Sequence, residues 1–339
     1  MMREPLLAIE NLKVSFPAPM RLADIAMLRR RSVKAVAGVD LIVGKGETVG
    51  LVGESGCGKS TLSRAVMGLA PIESGRVLLE GEDLASYRGA RRQKVLRRLQ
   101  MVFQEPHASL NPRLTIGQTL TEVLQVHKMR PPHEIAARVA SLLETVGLPA
   151  DFASRRPRDM SGGQCQRVGI ARALAVEPEL IIADEVVSAL DVSIQAQILN
   201  LFMELRRTHG LALLFVSHDL TVVRHFCQRV AVMYLGQIVE VGPTGVVLRT
   251  PRHPYTKALL ASIPEGNAEG LRRPGLTGEP PSPERPPPGC PFHPRCASAT
   301  EICARQEPQA QQEGDVTFRC HHPAPSPVPS IAPTERSNA

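Results

Sequence analysis

Gly53-Glu54-Ser55-Gly56-Cys57-Gly58-Lys59-Ser60 follows the apolar run Thr48-Val49-Gly50-Leu51-Val52 and precedes a segment with helical spacing. A glycine, four residues and then Gly-Lys-Ser, set between a strand and a helix, is the pattern of a loop that wraps phosphate. Successive backbone N–H groups converge on the anion, Lys59 reaches the β- and γ-oxygens, and Ser60 offers its hydroxyl to Mg²⁺. The segment therefore predicts an α/β nucleotide-binding core.

Three further segments extend that reading. The apolar strand Leu180–Ala183 ends in Asp184-Glu185, which places one carboxylate beside the phosphate loop as a Mg²⁺ ligand and the next toward a γ-phosphate, where it can orient or deprotonate water. Met160-Ser161-Gly162-Gly163-Gln164 precedes a helix expected from about Gln164 to Leu174, so its hydroxyl and backbone N–H groups form a second anion-facing turn. One chain with two such turns implies a second nucleotide, or a nucleotide held by a partner. Gln104, after Met101-Val102-Phe103, and His218, after the buried run Leu211–Val216, stand at strand ends where they can sense a γ-phosphate; taken singly, each also fits a structural role.

The 339 residues suffice for one substantial domain with an extension. Strands are expected at Leu7–Phe16, Ser32–Val43, Glu47–Gly53 and Arg76–Leu79, and a helical insertion from about Thr115 to Leu148, interrupted at Pro131-Pro132. The helix Val192–Arg207, the helix Leu220–Phe226 and a hairpin over Val230–Leu235 and Gln237–Gly242 close the core; a short helix is expected at His253–Ser262, a linker at Pro264–Pro288 and a disordered tail at Pro323–Ala339. Net charge is +7, but aromatics are only 3% and offer few stacking platforms, so no nucleic-acid partner is expected. The runs Arg29–Arg31, Arg91–Arg92 and Arg97–Arg98 read as solvated faces. No apolar run is long enough to span a bilayer and Met1–Glu10 lacks an export pattern, so the cytoplasm is the expected compartment. In that reducing setting seven cysteines argue against disulfides.

Together, these segments resemble the ATP-binding cassette of transport ATPases over residues 5–245. The resemblance implies a P-loop NTPase core with an antiparallel N-terminal subdomain, a helical subdomain at about 105–165 within a cassette of residues 1–245, a small extension at 246–322 and a disordered tail at 323–339. It implies that Gly53, Glu54, Ser55, Gly56, Cys57, Gly58, Lys59, Ser60 and Thr61 bind ATP, joined by Phe16 against adenine and by Ser161, Gly162, Gly163 and Gln164 from the signature of a second cassette packed head to tail. A core phenylalanine is the alternative for Phe16. Ser60, Gln104 and Asp184 would hold Mg²⁺; Glu185, His218, Lys59 and Gln104 would carry catalysis, and Asp191, in the loop Ser188–Asp191, would couple the two sites. Met160, Glu105, Cys165, Val186 and Val187 depart from the commonest family pattern, but they flank the reacting groups and should leave hydrolysis intact.

Within that family the chain looks like the ATPase subunits of bacterial oligopeptide and dipeptide importers and their nickel-transporting relatives. The stretches that carry this are Ala108–Arg113, Pro251–Leu260, and Gly289–Phe292 with Pro294-Arg295-Cys296. The resemblance implies a peripheral protein at the cytoplasmic face of the inner membrane that hydrolyses ATP to power solute import. Its partners would be a homologous ATPase subunit, two transmembrane permeases and, indirectly, a periplasmic solute-binding protein. The insertion between Phe16 and Ala35 looks like the second of two non-identical ATPases, hence a heterodimer, with a homodimer as the alternative. A nickel-specific importer, or a non-transport cassette protein acting on the ribosome or nucleic acid, is the other reading, and no residue identifies the solute. Cys290, Cys296, Cys303 and Cys320 crowd into a stretch with little apolar sequence of its own, where a metal can supply folding energy. A 4Fe-4S cluster, which the resemblance favours, Zn²⁺, and free thiols all remain open.

Overall fold

The computed structural model describes residues 4–17, 32–262, 276 and 278–325. The insertion expected between Phe16 and Ala35 falls at 18–31 outside the described residues, as do much of the expected linker and residues 326–339 of the tail.

Two long strands, β1 (Pro5–Pro17) and β2 (Ser32–Gly44), pair antiparallel and alternate buried with open positions; β4 (Ser74–Leu79) and β5 (Glu82–Asp83) complete a four-stranded sheet in the order β2-β1-β4-β5. This is the antiparallel subdomain expected from the sequence. β3 (Thr48–Val52), β6 (Leu99–Val102), β7 (Leu180–Asp184), β8 (Ala212–Ser217) and β9 (Arg229–Tyr234) form the parallel body of the second sheet, in the order β9-β3-β8-β7-β6. β3, β7 and β8 are buried at every position, the continuous apolar character that a sheet covered on both faces demands. Helix α1 (Lys59–Val66) leaves the loop after β3 and buries Leu62, Ala65 and Val66.

A helix absent from the sequence reading, α2 (Gly89–Arg97), precedes β6; it has no buried residue and so carries no apolar period to detect. The helical segment comprises α3 (Ile116–Val126), α4 (Ile135–Thr145) and α5 (Gly162–Leu174), all facing one buried cluster. Pro131 and Pro132 separate α3 from α4, as expected, since neither donates to a helical ladder. α5 begins two residues before the expected Gln164, because Ser161 and Gln164 close a reciprocal capping box around its first turn. α6 (Val192–His209) ends on Gly210 in the left-handed conformation, and α7 (Leu220–Phe226) follows β8.

The extension does not stand apart. β10 (Gln237–Pro243) pairs antiparallel with β9 and also with β12 (Val316–Arg319), which β11 (Ala310–Glu313) flanks, so the second sheet runs β11-β12-β10-β9 before its parallel body. Cys290, Phe292, Cys303, Val316, Phe318 and Cys320 are buried in the same cluster as the helical segment and central strands. An apolar-poor stretch thus borrows its core from the body.

The joint rests on Glu240 of β10. It is fully buried, and its two oxygens accept from the Arg252 N–H (2.7 Å) and the His253 N–H (3.0 Å). His253 then caps α8 (Pro254–Ala261): its Nδ1 accepts from the Tyr255 N–H at 3.0 Å, with Pro254 in the first turn, where a missing N–H costs nothing. Burial pushes the His253 imidazole down to about 3, so it stays neutral in the folded chain. The unfolded chain takes up this proton near the ordinary value of about 6.5. Stability from this site is therefore complete above about pH 6.5 and is lost progressively as pH falls toward 3. In thermal unfolding followed from pH 7 to pH 4.5, His253→Asn, which keeps a capping oxygen but does not titrate, should flatten the decline in melting temperature.

Candidate functional site

Register, more than any single residue, builds the site. Val52 lies opposite Ser217, Val216 opposite Asp184, and Ala183 opposite Val102, so the C-terminal ends of β3, β8, β7 and β6 fall within two residues of one another along one sheet edge. The loops that leave those four ends carry Lys59, His218, Glu185 and Gln104. Such an edge is where open α/β sheets bind ligands.

The loop after β3 is held in shape from within. Lys59 is buried, and its Nζ donates to the carbonyls of Gly53 (2.8 Å) and Glu54 (3.0 Å). Gly58 has φ of +110°, and a Cβ there would stand 2.2 Å from the Ala35 carbonyl oxygen of β2, so no other residue fits. Cys57, also buried, places its thiol 4.0 Å from the Lys59 ammonium, and burial pushes that thiol up.

Ser60, in the first turn of α1, donates from Oγ to Asp184 Oδ1 at 3.1 Å, which joins two of the three sequence-predicted Mg²⁺ ligands. Burial raises the Asp184 carboxyl above its ordinary value, and the Ser60 hydrogen bond opposes that rise. A hydroxyl and a carboxylate side by side suit Mg²⁺, which keeps most of its shell for water and phosphate oxygens. Glu185 takes φ of +50°, uncommon outside glycine and costing about 1 kcal/mol. Its N–H donates to the Val216 carbonyl (3.0 Å) and its carbonyl accepts from Ser188 Oγ (2.9 Å), bonds that hold the residue in that turn.

His218 Nδ1 lies 3.6 Å from Glu185 Oε2, with the imidazole more than half exposed and the carboxylate largely covered. The loop bearing it is fixed on one side by Ser217 Oγ, which accepts from the Asp219 N–H, and on the other by Asp219, which caps α7. Gln104 reaches the same group through Ser188, its Nε2 donating to Ser188 Oγ at 3.4 Å. Lys59, Ser60, Asp184, Glu185, His218 and Gln104 therefore occupy one edge.

Ser161 is exposed, and its hydrogen bonds close its own helix cap. Gly163 has a packing reason as well: a Cβ there would meet Ile194 Cγ2 at 2.4 Å, so a small residue lets α5 approach α6. Phe16 is exposed on β1, outside the core that was its alternative. Asp191 sits at the N-cap position of α6 without a side-chain capping bond.

Sequence reasoning assigned no role to Tyr255 or Arg295, which touch the phosphate loop. Tyr255 Oη accepts from the Glu54 N–H at 3.0 Å, and Arg295 pairs with both Glu54 oxygens at 2.7 and 3.0 Å. Cys290, Cys296, Cys303 and Cys320 line one small cavity with His253, His321 and His322. Among the described residues no three His, Cys, Asp or Glu side chains converge on a point that would hold a single metal ion. Burial raises the thiols of Cys290, Cys296 and Cys320, the last to about 11.

The family model described as ABC transporter matches residues 36–188, and that described as oligopeptide/dipeptide transporter, C-terminal region, matches residues 239–303. A probable peptide ABC transporter ATP-binding protein, y4tS, of Sinorhizobium fredii is 48% identical over 98% of this chain and 94% of its own length. The oligopeptide transport ATP-binding proteins AppF of Bacillus subtilis and OppF of Salmonella typhimurium are each 46% identical, over 94% and 90% of this chain and 98% and 92% of theirs. Among solved structures, the cassette MJ0796, described as a dimer bound to ADP and Pi, aligns with a TM-score of 0.60 and 27% identity over 70% of this chain and 98% of its own.

The capping box makes a direct prediction. Ser161→Ala should destabilise the chain by about 1 kcal/mol, read as a lower urea midpoint at unchanged slope.

Proposed function

Because the chain belongs to the ABC transporter family of ATP-binding proteins, we propose that it hydrolyses ATP to drive peptide import through a membrane permease complex. One observation carries the reading: Lys59, Ser60, Asp184, Glu185 and His218 share one sheet edge, with Ser60 already bonded to Asp184. Relatives spanning nearly the whole chain are named for peptide or oligopeptide transport. Those names favour a peptide over nickel, and transport over work on the ribosome or nucleic acid.

Gly53 through Thr61 would wrap the triphosphate, with Phe16 against the adenine. Ser60, Asp184 and Gln104 would hold Mg²⁺, which when bound neutralises charge across the β- and γ-oxygens. Glu185 takes a proton from water as the water oxygen attacks the γ-phosphorus, and the bond to the β,γ-bridging oxygen breaks to leave ADP and phosphate. His218, beside Glu185, holds the γ-phosphate and the carboxylate in mutual orientation. Catalysis here is positioning and charge compensation.

Ser161, Gly162, Gly163 and Gln164 would complete a partner's nucleotide, and Asp191 would couple the two sites. The exposure of Ser161 supports this. We take the partner to be a homologous, non-identical cassette docked on two permeases at the cytoplasmic face of the inner membrane, fed by a periplasmic solute-binding protein. Among the described residues no helix is long and apolar enough to cross a membrane, which fits peripheral attachment. For the extension, the reading is a 4Fe-4S cluster on Cys290, Cys296, Cys303 and Cys320. Its support is that the four thiols line one small cavity; Zn²⁺ and free thiols are the alternatives. Anaerobically purified protein should then absorb near ~400 nm with matching iron and sulfide; colourless, metal-free protein would exclude both metals.

For hydrolysis, Glu185→Gln in the assembled transporter should lower the ATPase rate by about 100-fold or more while ATP binding persists. An undiminished rate would remove Glu185 as the base.

A further inference from the structure

A carboxylate stands in the loop that receives the triphosphate, and its charge opposes binding. Glu54 lies between Gly53 and Ser55, and its own carbonyl is one of the two that hold Lys59. Its side chain is turned to the extension, where Arg295 Nη1 and Nη2 donate to its two oxygens at 2.7 and 3.0 Å. The guanidinium is almost wholly covered and the carboxylate largely so. A covered, two-point pair of this kind neutralises both charges and fixes the direction of the carboxylate.

The support behind Arg295 is built for rigidity. Phe292 packs against Tyr234 and Tyr255, ring centroids 5.3 Å apart in each case, and Tyr234 lies 4.6 Å from Tyr255. Arg295 lies over the Tyr234 ring, and the Tyr255 hydroxyl takes the Glu54 N–H. Phe292 and Arg295 both belong to the short segment between Cys290 and Cys296, so that segment is a strut from the cysteine cavity to the phosphate loop.

We propose that Arg295 is a positioning residue of the ATPase: it masks Glu54 and turns it away from the triphosphate, so that the extension sets the affinity of the loop for nucleotide. This rests on the reading of Gly53–Thr61 as the ATP site. Without Arg295, Glu54 becomes an uncompensated carboxylate beside the polyphosphate. Affinity then falls by repulsion and by loss of loop shape.

The test titrates trinitrophenyl-ATP into the full chain and measures ATPase kinetics in the assembled transporter. Arg295→Met should raise the dissociation constant and KM for ATP about tenfold or more, with kcat within about twofold. Adding Glu54→Gln to Arg295→Met should recover most of the lost affinity, since the carboxylate that Arg295 masked is gone. Unchanged affinity in Arg295→Met overturns the proposal, as does a fall in kcat at constant KM or a double variant no better than the single one. If Arg295→Met does not fold, Arg295→Gln, which keeps a donor toward Glu54 but removes the charge, is read by the same titration: weakened binding supports the proposal, and wild-type affinity overturns it. A wild-type chain that binds no nucleotide removes the ATP site itself, whereas wild type and variants that bind equally remove only the role of Arg295.

Discussion

The parallel register of β3, β8, β7 and β6 is the constraint on which the rest depends. Residues more than a hundred positions apart become neighbours because Val52, Ser217, Asp184 and Val102 end their strands within two residues of one level. A slip of one residue in β7 would turn Asp184 to the opposite face of the sheet and break its bond to Ser60. The complete burial of β3, β7 and β8 resists that slip, because every position on both faces is already packed. Chemistry at the edge is thus secured by apolar side chains that never touch it.

The extension obeys a second constraint. It has few apolar residues, and it gains order by adding β12 and β11 to the edge strand β10 and by seating the Arg252-His253 turn on buried Glu240. From there α8 delivers Tyr255, and the segment between Cys290 and Cys296 delivers Phe292 and Arg295, to the loop after β3. Phosphate loop and cysteine cavity are consequently two ends of one packed unit. Aromatic contacts and one ion pair connect the two ends.

Much of this was legible in the sequence, for identifiable reasons. Central strands declared themselves by unbroken apolar runs, and the phosphate loop, Asp184-Glu185, Gln104 and His218 by their places at strand ends. α2 was missed because an exposed arginine-rich helix carries no period, and β11 because it is polar throughout. The start of α5 was placed two residues late, since a capping box competes with the apolar period that marks the helix body. The Glu54–Arg295 pair left no trace: its partners meet only after the whole sheet has formed, and neither neighbourhood hints at the other. Cys290, Cys296, Cys303 and Cys320 were legible as a group, yet their common cavity follows from burial against the body.

The central claim is that a triphosphate pinned by the Lys59 loop is completed by the serine-glycine turn of a second cassette. The most direct test is the structure of the transporter trapped with ATP through Glu185→Gln. The account predicts the partner cassette's serine-glycine turn within hydrogen-bond reach of the γ-phosphate held by Lys59, about 3 Å. A turn standing well beyond that reach in the trapped complex, with the triphosphate bound, would contradict it.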